Sequence, residues 1–420
     1  MTDARHAGAH ADIGWHTPVP QDHPAAALLN AQAVRRQCAL VMARTEQGNG
    51  AHFTWHPDRL AQVACYVADT IRMRYPDLSV PYHSRWRHFE TGGVDRWQQL
   101  AAQAGLSGSE RARTRIDLVI PSVLLDAGAG PDWQYLDHAN NMRLARSEGL
   151  GVASLALFAS GALSSDQTHP LRTDASALAA LAGQTVAAAF QVSHSNPLVG
   201  LAGRVEMLRR LGEVVAATPA VFGPARRLGN LFDYLADHAH GKTIDAAFIL
   251  ETLLIALGPV WPGRIVLDGV SLGDCWRHPD VDGGLLPFHK LTQWLTYSML
   301  EPLEEAGYDV VGLDRLTGLP EYRNGGLLLD LGLLQPRDPA FFTDHLAVDR
   351  PEVVEWRALT VIGLDRVADA VRTQLGVSAD AFPLARVLEG GTWAAGRRIA
   401  AERRPGGTPP VNILSDGTVF

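Results

Sequence analysis

The chain has 420 residues, 46% of them hydrophobic and 20% charged, the composition of a globular protein with a substantial core. A formal net charge of −8 opposes a nucleic-acid partner, because such binders need Lys and Arg to displace counterions from phosphates. Cys38, Cys65 and Cys275 lie far apart with no C-x-x-C spacing, which excludes a cysteine zinc site or redox pair and points to a reducing compartment.

Residues 1–24 are rich in His, Pro and Ala without periodicity and are expected to form a disordered tail. They carry no basic segment followed by an apolar one, and no window approaches the roughly 18 apolar residues of a membrane span. The expectation is therefore a cytoplasmic protein with no membrane partner. From 25 to 420 no Ser/Gly or charged linker divides the chain, which predicts one large helical unit, a bilobed form being left open.

Ala27, Ala31, Val34, Cys38 and Val41 recur at steps of four and three, one buried helical face, and Gly48 with Gly50 stops it. Pro57 starts a second helix with the stripe Leu60, Val63, Val67 and Ile71, ending before Tyr75 and Pro76. Ile116 to Ile120 reads as a strand or a buried helix. Ser147 is expected to cap the helix that follows it. Val205, Leu208, Leu211 and Val215 form a further stripe, and Ile265 to Leu267 one arm of a short hairpin. Val354, Ala358, Val361, Ala368, Val371 and Leu375 make a long helical face closed by Gly376. The fold class is mainly α, with at most a short β-hairpin or small sheet.

No G-x-G-x-x-G after a strand, Walker loop or G-x-S-x-G elbow occurs, so neither a nucleotide cofactor nor serine hydrolysis is expected. The 16 histidines include no H-E-x-x-H. His83 with His88, and His238 with His240, lack a third ligand at a standard interval, so no metal is expected. His238 and His240 read as an exposed helix end.

Beside Arg146-Ser147-Glu148-Gly149, read as the helix cap above, polar and aromatic residues crowd in three further places. The segment His83-Ser84-Arg85-Trp86-Arg87-His88-Phe89-Glu90 offers stacking and anion-binding groups, or else is a solvated, salt-bridged stretch. His289, Lys290 and Gln293 form a polar strip amid Phe288, Leu291 and Trp294, and a lysine so flanked is seldom buried unless an acid or phosphate pairs it. The third runs from Asp314 through Glu321-Tyr322-Arg323-Asn324-Gly325-Gly326 to Asp330. Pro320 holds Glu321 near a helix start, whose dipole favours negative charge, and two glycines admit a close approach.

The segments HSRWRHFE (83–90), IPSVLLDAGAG (120–130), RSEGL (146–150), NPLVGLAGR (196–204), PFHKLTQWL (287–295), LTGLPEYRNGGLLLD (316–330), EWRALTV (355–361), LEGGTWAAGR (388–397) and SDGTVF (415–420) resemble the uracil-catabolism family, the fourth component of the fungal URC pathway and its bacterial relatives. In that pathway uracil becomes a ribonucleotide, its ring is opened and urea finally leaves the ribose. The resemblance thus implies a ribosylurea-type N-glycoside as substrate and contact with other uracil-catabolism enzymes. A weaker resemblance, from Lys290 and Gln293 to Glu321-Tyr322-Arg323, is to the queuosine-salvage nucleotide N-glycosylases, which implies a DNA-glycosylase-like helical fold. Those enzymes carry an aspartate where this chain has Glu321, one methylene longer.

Hydrolysis of an N-glycosidic bond passes through an oxocarbenium-like state, so the site needs a carboxylate, for which Glu321 is the candidate. Urea is a poor leaving group without a donor, for which His289, Gln293 and Asn324 are candidates. A ribose 5′-phosphate would be gripped by Lys290 with Arg85, Arg87 or Arg323, and Trp86 or Tyr322 would flank the sugar. His83, Asp314 and Asp330 complete the candidate binding residues. The expected partner is a small ribosyl or ribose-phosphate molecule, with no cofactor.

Overall fold

Apolar residues at steps of three and four become buried helical faces along most of the chain. The computed structural model describes Val19 and residues 22–126, 128–261 and 264–414. The 1–24 tail therefore lies largely outside the described residues, as does the terminal SDGTVF segment. The fold is mainly α, and the strands form six two-stranded pairs among the described residues, none exceeding three residues per strand. No helix among the described residues is long and apolar enough to cross a membrane.

The chain divides into two compact units. The first comprises the described residues of Met1–Ala27, Ser84–Gly273 and Trp294–Val311. Its core helix, Gly108–Leu124, contains the ambiguous 116–120 stretch, and Ile116, Val119 and Ile120 are wholly buried. Asp117 on this helix accepts from Arg227 Nε and the Gly229 N–H, each at 2.7 Å, while burial pushes its carboxyl up to about 6. Val205, Leu208, Leu211 and Val215 are the buried face of Leu201–Ala217. The expected hairpin forms as Val266–Leu267 against Val270–Ser271, turning at Asp268 and Gly269, both with positive φ. Ser147 does not cap its helix. Ala145 is the N-cap of Arg146–Ala159 and makes no side-chain cap bond.

The second unit comprises Leu28–His83, Asp274–Gln293 and Gly312–Phe420, of which 312–414 are described. Its longest helix, Pro351–Leu375, starts at a proline whose missing N–H needs no partner there and ends at Gly376 in the left-handed region. It packs against Ala31–Glu46, capped by the Asn30 side chain, and Leu60–Arg74. Val34, Cys38, Val63, Val67 and Ile71 are fully buried there. The helix Tyr322–Asp330 packs against Trp393–Arg403, which is preceded by a π-helical turn, Val387–Thr392.

Candidate functional site

Glu321 is the N-cap of the Tyr322–Asp330 helix. Its backbone is extended, with φ −134° and ψ 177°, and its carboxylate accepts the Arg323 N–H at 2.9 Å and the Asn324 N–H at 2.6 Å. A carboxylate offers about four lone-pair positions, and the cap uses two. The half-buried side chain is thus fixed in orientation with acceptor capacity remaining. Asn324, wholly buried, donates to the Leu319 carbonyl at 3.0 Å and accepts from the Thr392 hydroxyl at 2.8 Å. The two glycines after it are filled from within the protein rather than opened to a ligand. A Cβ at Gly325 would meet the Trp356 ring, and one at Gly326 would meet Pro410.

Thr392 ends the π-helical turn, and on the same turn Glu389, nearly buried, accepts from His83 Nδ1 at 2.7 Å. A π-turn widens a helix by one residue and is found most often where a side chain must be aimed. Here it points Glu389 at His83 while Arg74 Nη1 holds the Glu389 carbonyl at 3.1 Å. A carboxylate on one ring nitrogen fixes the imidazole's tautomer and plane, the arrangement that general acid–base chemistry uses. Glu389 was not among the sequence candidates. Its signal was LEGGTWAAGR, where a charged residue stands beside paired glycines.

The His289–Gln293 strip is organised differently from the expectation. His289 sits at φ 49°, in the left-handed region, and is buried. The Leu28 carbonyl can only accept, so the imidazole donates from Nε2 at 2.8 Å. Burial lowers the His289 pKa, against the Leu28 bond and Asp274, which raise it, so the ring is neutral and its one N–H is committed. The Gln293 amide is also committed: it donates to Thr317 Oγ1 at 2.5 Å and the Phe288 carbonyl at 3.2 Å, and accepts from the Thr317 N–H at 2.8 Å. Neither is placed to protonate a leaving group, which corrects both assignments. Lys290 is half-buried, and its backbone N–H donates to Asp274 Oδ2 at 3.0 Å.

Asp274 is the organiser the sequence did not reveal. Its carbonyl accepts the N–H of Phe288 at 2.8 Å and of His289 at 3.3 Å, its Oδ1 takes the Trp276 indole N–H at 2.6 Å, and both oxygens meet Arg357. Burial pushes the Asp274 carboxyl up. The Arg357 charge and these hydrogen bonds outweigh it and hold the group well below the usual carboxylate range. Arg357 is wholly buried, 4.1 Å over the Phe288 ring.

Arg85, Trp86 and Arg87 belong to the first unit, where they are internal ties. Arg85, wholly buried, donates to Ser122 Oγ and Asp126 at 2.7 Å each. Trp86 is 1% exposed, donates to the Ser298 carbonyl at 2.8 Å and lies 3.8 Å beneath the Arg115 guanidinium. Arg87 pairs with Glu301 at 2.5 Å and Glu90 at 3.0 Å. A buried guanidinium requires acids of its own, and in this segment the arginines pair with acids of the protein.

Of the remaining candidates, Tyr322 and Arg323 are half-buried, and Arg323 Nη1 donates to the Gly407 carbonyl at 2.9 Å. Asp314 is exposed on a 3₁₀ turn. Asp330 is tied to Arg404 at 2.7 and 2.5 Å, a structural pair. His238 and His240 are exposed just past the helix Leu231–Asp237. Among the described residues no three His, Cys, Asp or Glu side chains gather to hold a metal ion. Within the second unit, Asn324 joins the Glu321 cap to Thr392, which ends the π-helical turn that also carries Glu389, the partner of His83.

A family described as Protein of unknown function (DUF1688) matches residues 27–420. The Schizosaccharomyces pombe protein named Protein urg3 is 39% identical over 404 residues, covering 94% of this chain and 98% of that protein. Uracil catabolism protein 4 of Lachancea kluyveri is 37% identical over 439 residues, covering 95% and 99%. Identity at this level over nearly whole chains settles the resemblance drawn from the motifs: the protein is a member of the DUF1688 family, and it is homologous to Uracil catabolism protein 4.

Proposed function

We propose that the protein acts in uracil catabolism as an N-ribosyl hydrolase, releasing urea from ribosylurea or its 5′-phosphate. The observation that carries this reading is the Glu321 carboxylate, locked by two helix amides with lone pairs to spare. It lies in the same compact unit as the His83–Glu389 pair. The name of the Lachancea kluyveri relative supplies the metabolic setting.

In this reading the bond between the anomeric carbon and the urea nitrogen lengthens first, and Glu321 faces the positive charge that grows on the sugar. Water then forms the new carbon–oxygen bond, and its proton passes to Glu321. The departing nitrogen receives a proton from His83, which Glu389 orients. His83 takes the donor role assigned from sequence to His289 and Gln293. Proton return from Glu321 to His83 through solvent closes the cycle, with urea and ribose or ribose 5-phosphate as products.

The test is to incubate purified protein with ribosylurea and with ribosylurea 5′-phosphate and to measure urea. Release of urea with no second substrate supports hydrolysis. Release only when phosphate or another acceptor is supplied identifies a transferase. No turnover, with stable co-purification of the ring-opening enzyme, identifies an assembly partner.

A further inference from the structure

Four helical threonines of the second unit bond to their own helix. Thr45, Thr70, Thr360 and Thr373 each donate the hydroxyl to the carbonyl one turn back, at 2.8–3.0 Å. Thr392 uses its hydroxyl differently. Wholly buried at the end of the π-helical turn, it donates to Asn324 Oδ1 at 2.8 Å, 68 positions away. The direction of this bond is fixed. The Leu319 carbonyl can only accept, so Asn324 Nδ2 faces it at 3.0 Å, and Oδ1 is left to accept from Thr392.

Each partner is joined to a group assigned to the reaction. The Asn324 backbone N–H is one of the two that the Glu321 carboxylate accepts, at 2.6 Å, and Asn324 Nδ2 shares the Leu319 carbonyl with the Glu321 N–H. Thr392 follows Glu389 by three residues, on a turn whose next N–H, that of Trp393, bonds five residues back to the Leu388 carbonyl. Gly391 seats this turn against the helix Leu60–Arg74: a Cβ there would come within 2.8 Å of Val67 and 3.1 Å of Ile71. Apolar packing of this kind has no preferred direction, whereas a hydrogen bond has one. The Thr392 bond therefore sets where the turn stands relative to the Glu321 cap.

We propose that Thr392 and Asn324 are positioning residues: their bond couples the Glu321 cap to the turn carrying Glu389, so that Glu389 holds His83 in the orientation the reaction needs. Both are wholly buried and act through Glu321 and Glu389 rather than on substrate. The proposal rests on the roles given above to Glu321 and His83 in hydrolysis. Asn324 thereby exchanges the leaving-group role read from sequence for one inside the protein.

The test compares wild-type protein with Thr392→Val, Thr392→Ala, Thr392→Ser and Thr360→Val. Urea release from the ribosylurea compounds gives kcat and KM. Nuclear magnetic resonance with isotope-labelled histidine gives the His83 ring signals, assigned by their loss in His83→Gln. Thr360→Val is the control, because it deletes an equally buried hydroxyl bond, 2.8 Å to the Trp356 carbonyl, in a helix that carries neither proposed group. Thr392→Val and Thr392→Ala are expected to lower kcat by roughly 10- to 100-fold with KM held, and to move the His83 signals. Thr392→Ser, which keeps the hydroxyl, should preserve both, and Thr360→Val should change neither. A fall in kcat matched by Thr360→Val, or His83 signals unmoved by loss of the Thr392 hydroxyl, overturns the proposal. If wild-type protein releases no urea, the hydrolase reading fails and the signals alone decide: His83 moved in Thr392→Val upholds the coupling, and His83 unmoved overturns it.

Discussion

Asp274 and Arg357 are 83 positions apart and meet through two bonds, Nη1 to Oδ1 at 2.8 Å and Nη2 to Oδ2 at 2.7 Å. The pair fastens the turn that starts the Lys290–Glu305 helix to the second turn of Pro351–Leu375. Removing the Asp274 carboxylate alone takes from the buried Arg357 guanidinium its bidentate acid. Asp274→Ala is therefore expected to cost about 3–5 kcal/mol, read from the urea unfolding midpoint. Asp274→Ala with Arg357→Met should cost less than the sum of the single changes. Strict additivity would show that the two side chains do not act as a pair.

Glu321 caps a helix and is the proposed catalytic carboxylate, and the roles separate by chain length. Glu321→Ala should lose about 1 kcal/mol of stability with the cap. Glu321→Asp keeps a good capping residue while drawing the carboxylate back, so thermal stability should hold while urea release falls. Full activity in Glu321→Asp would remove reach as a requirement.

The buried, neutral His289 makes stability depend on pH. Its folded pKa is depressed below the ordinary 6.5, so the unfolded chain binds the proton first as pH falls. The stabilisation is complete above about 6.5 and is lost as pH drops from there toward the folded value. His278, also lowered by burial, adds to the same slope. His289→Asn, which tolerates the left-handed backbone, should flatten the fall of melting temperature below about pH 6.5. An unchanged slope would mean that His289 titrates alike folded and unfolded.

For His83 and Glu389 the expected signature is kinetic. His83→Ala should reduce kcat on ribosylurea compounds by about 10²–10⁴-fold. Glu389→Gln, which preserves the hydrogen bond but not the charge, should lower kcat by less and leave the fold intact. A kcat unmoved by both would assign the pair to structure alone.

Gly396 tests whether helix contact positions the site. Any side chain there strikes the Arg323 backbone, and backbone gives way less readily than a flexible side chain. Gly396→Ala is expected to destabilise by roughly 1–3 kcal/mol. It should also lower activity more than Gly376→Ala, whose left-handed position is strained but borders open space. Comparable activity losses in the two variants would count against the contact.

The helices were legible because their determinants are local. The stripes through Val34, Val63, Val205 and Val354, the Gly376 stop and the turn at Asp268–Gly269 all lie within a few residues of the bonds they make. Ser147 was misread for a related reason: several residues near a helix start can cap, and backbone geometry chose Ala145. The candidate site was legible only in its positions. Glu321 was visible from Pro320 and the helix that follows, whereas Glu389 carried no local mark of its partner.

Composition, helix boundaries and family membership were fixed by residues in order, because helical bonds and apolar faces repeat every three or four positions. Which polar groups remain available for chemistry was decided by folding alone. Gln293 finds Thr317 across 24 positions, and His83 finds Glu389 across 306. A donor or charge looks the same in sequence whether another chain segment will satisfy it or leave it facing a substrate, since burying it demands a partner without specifying from where.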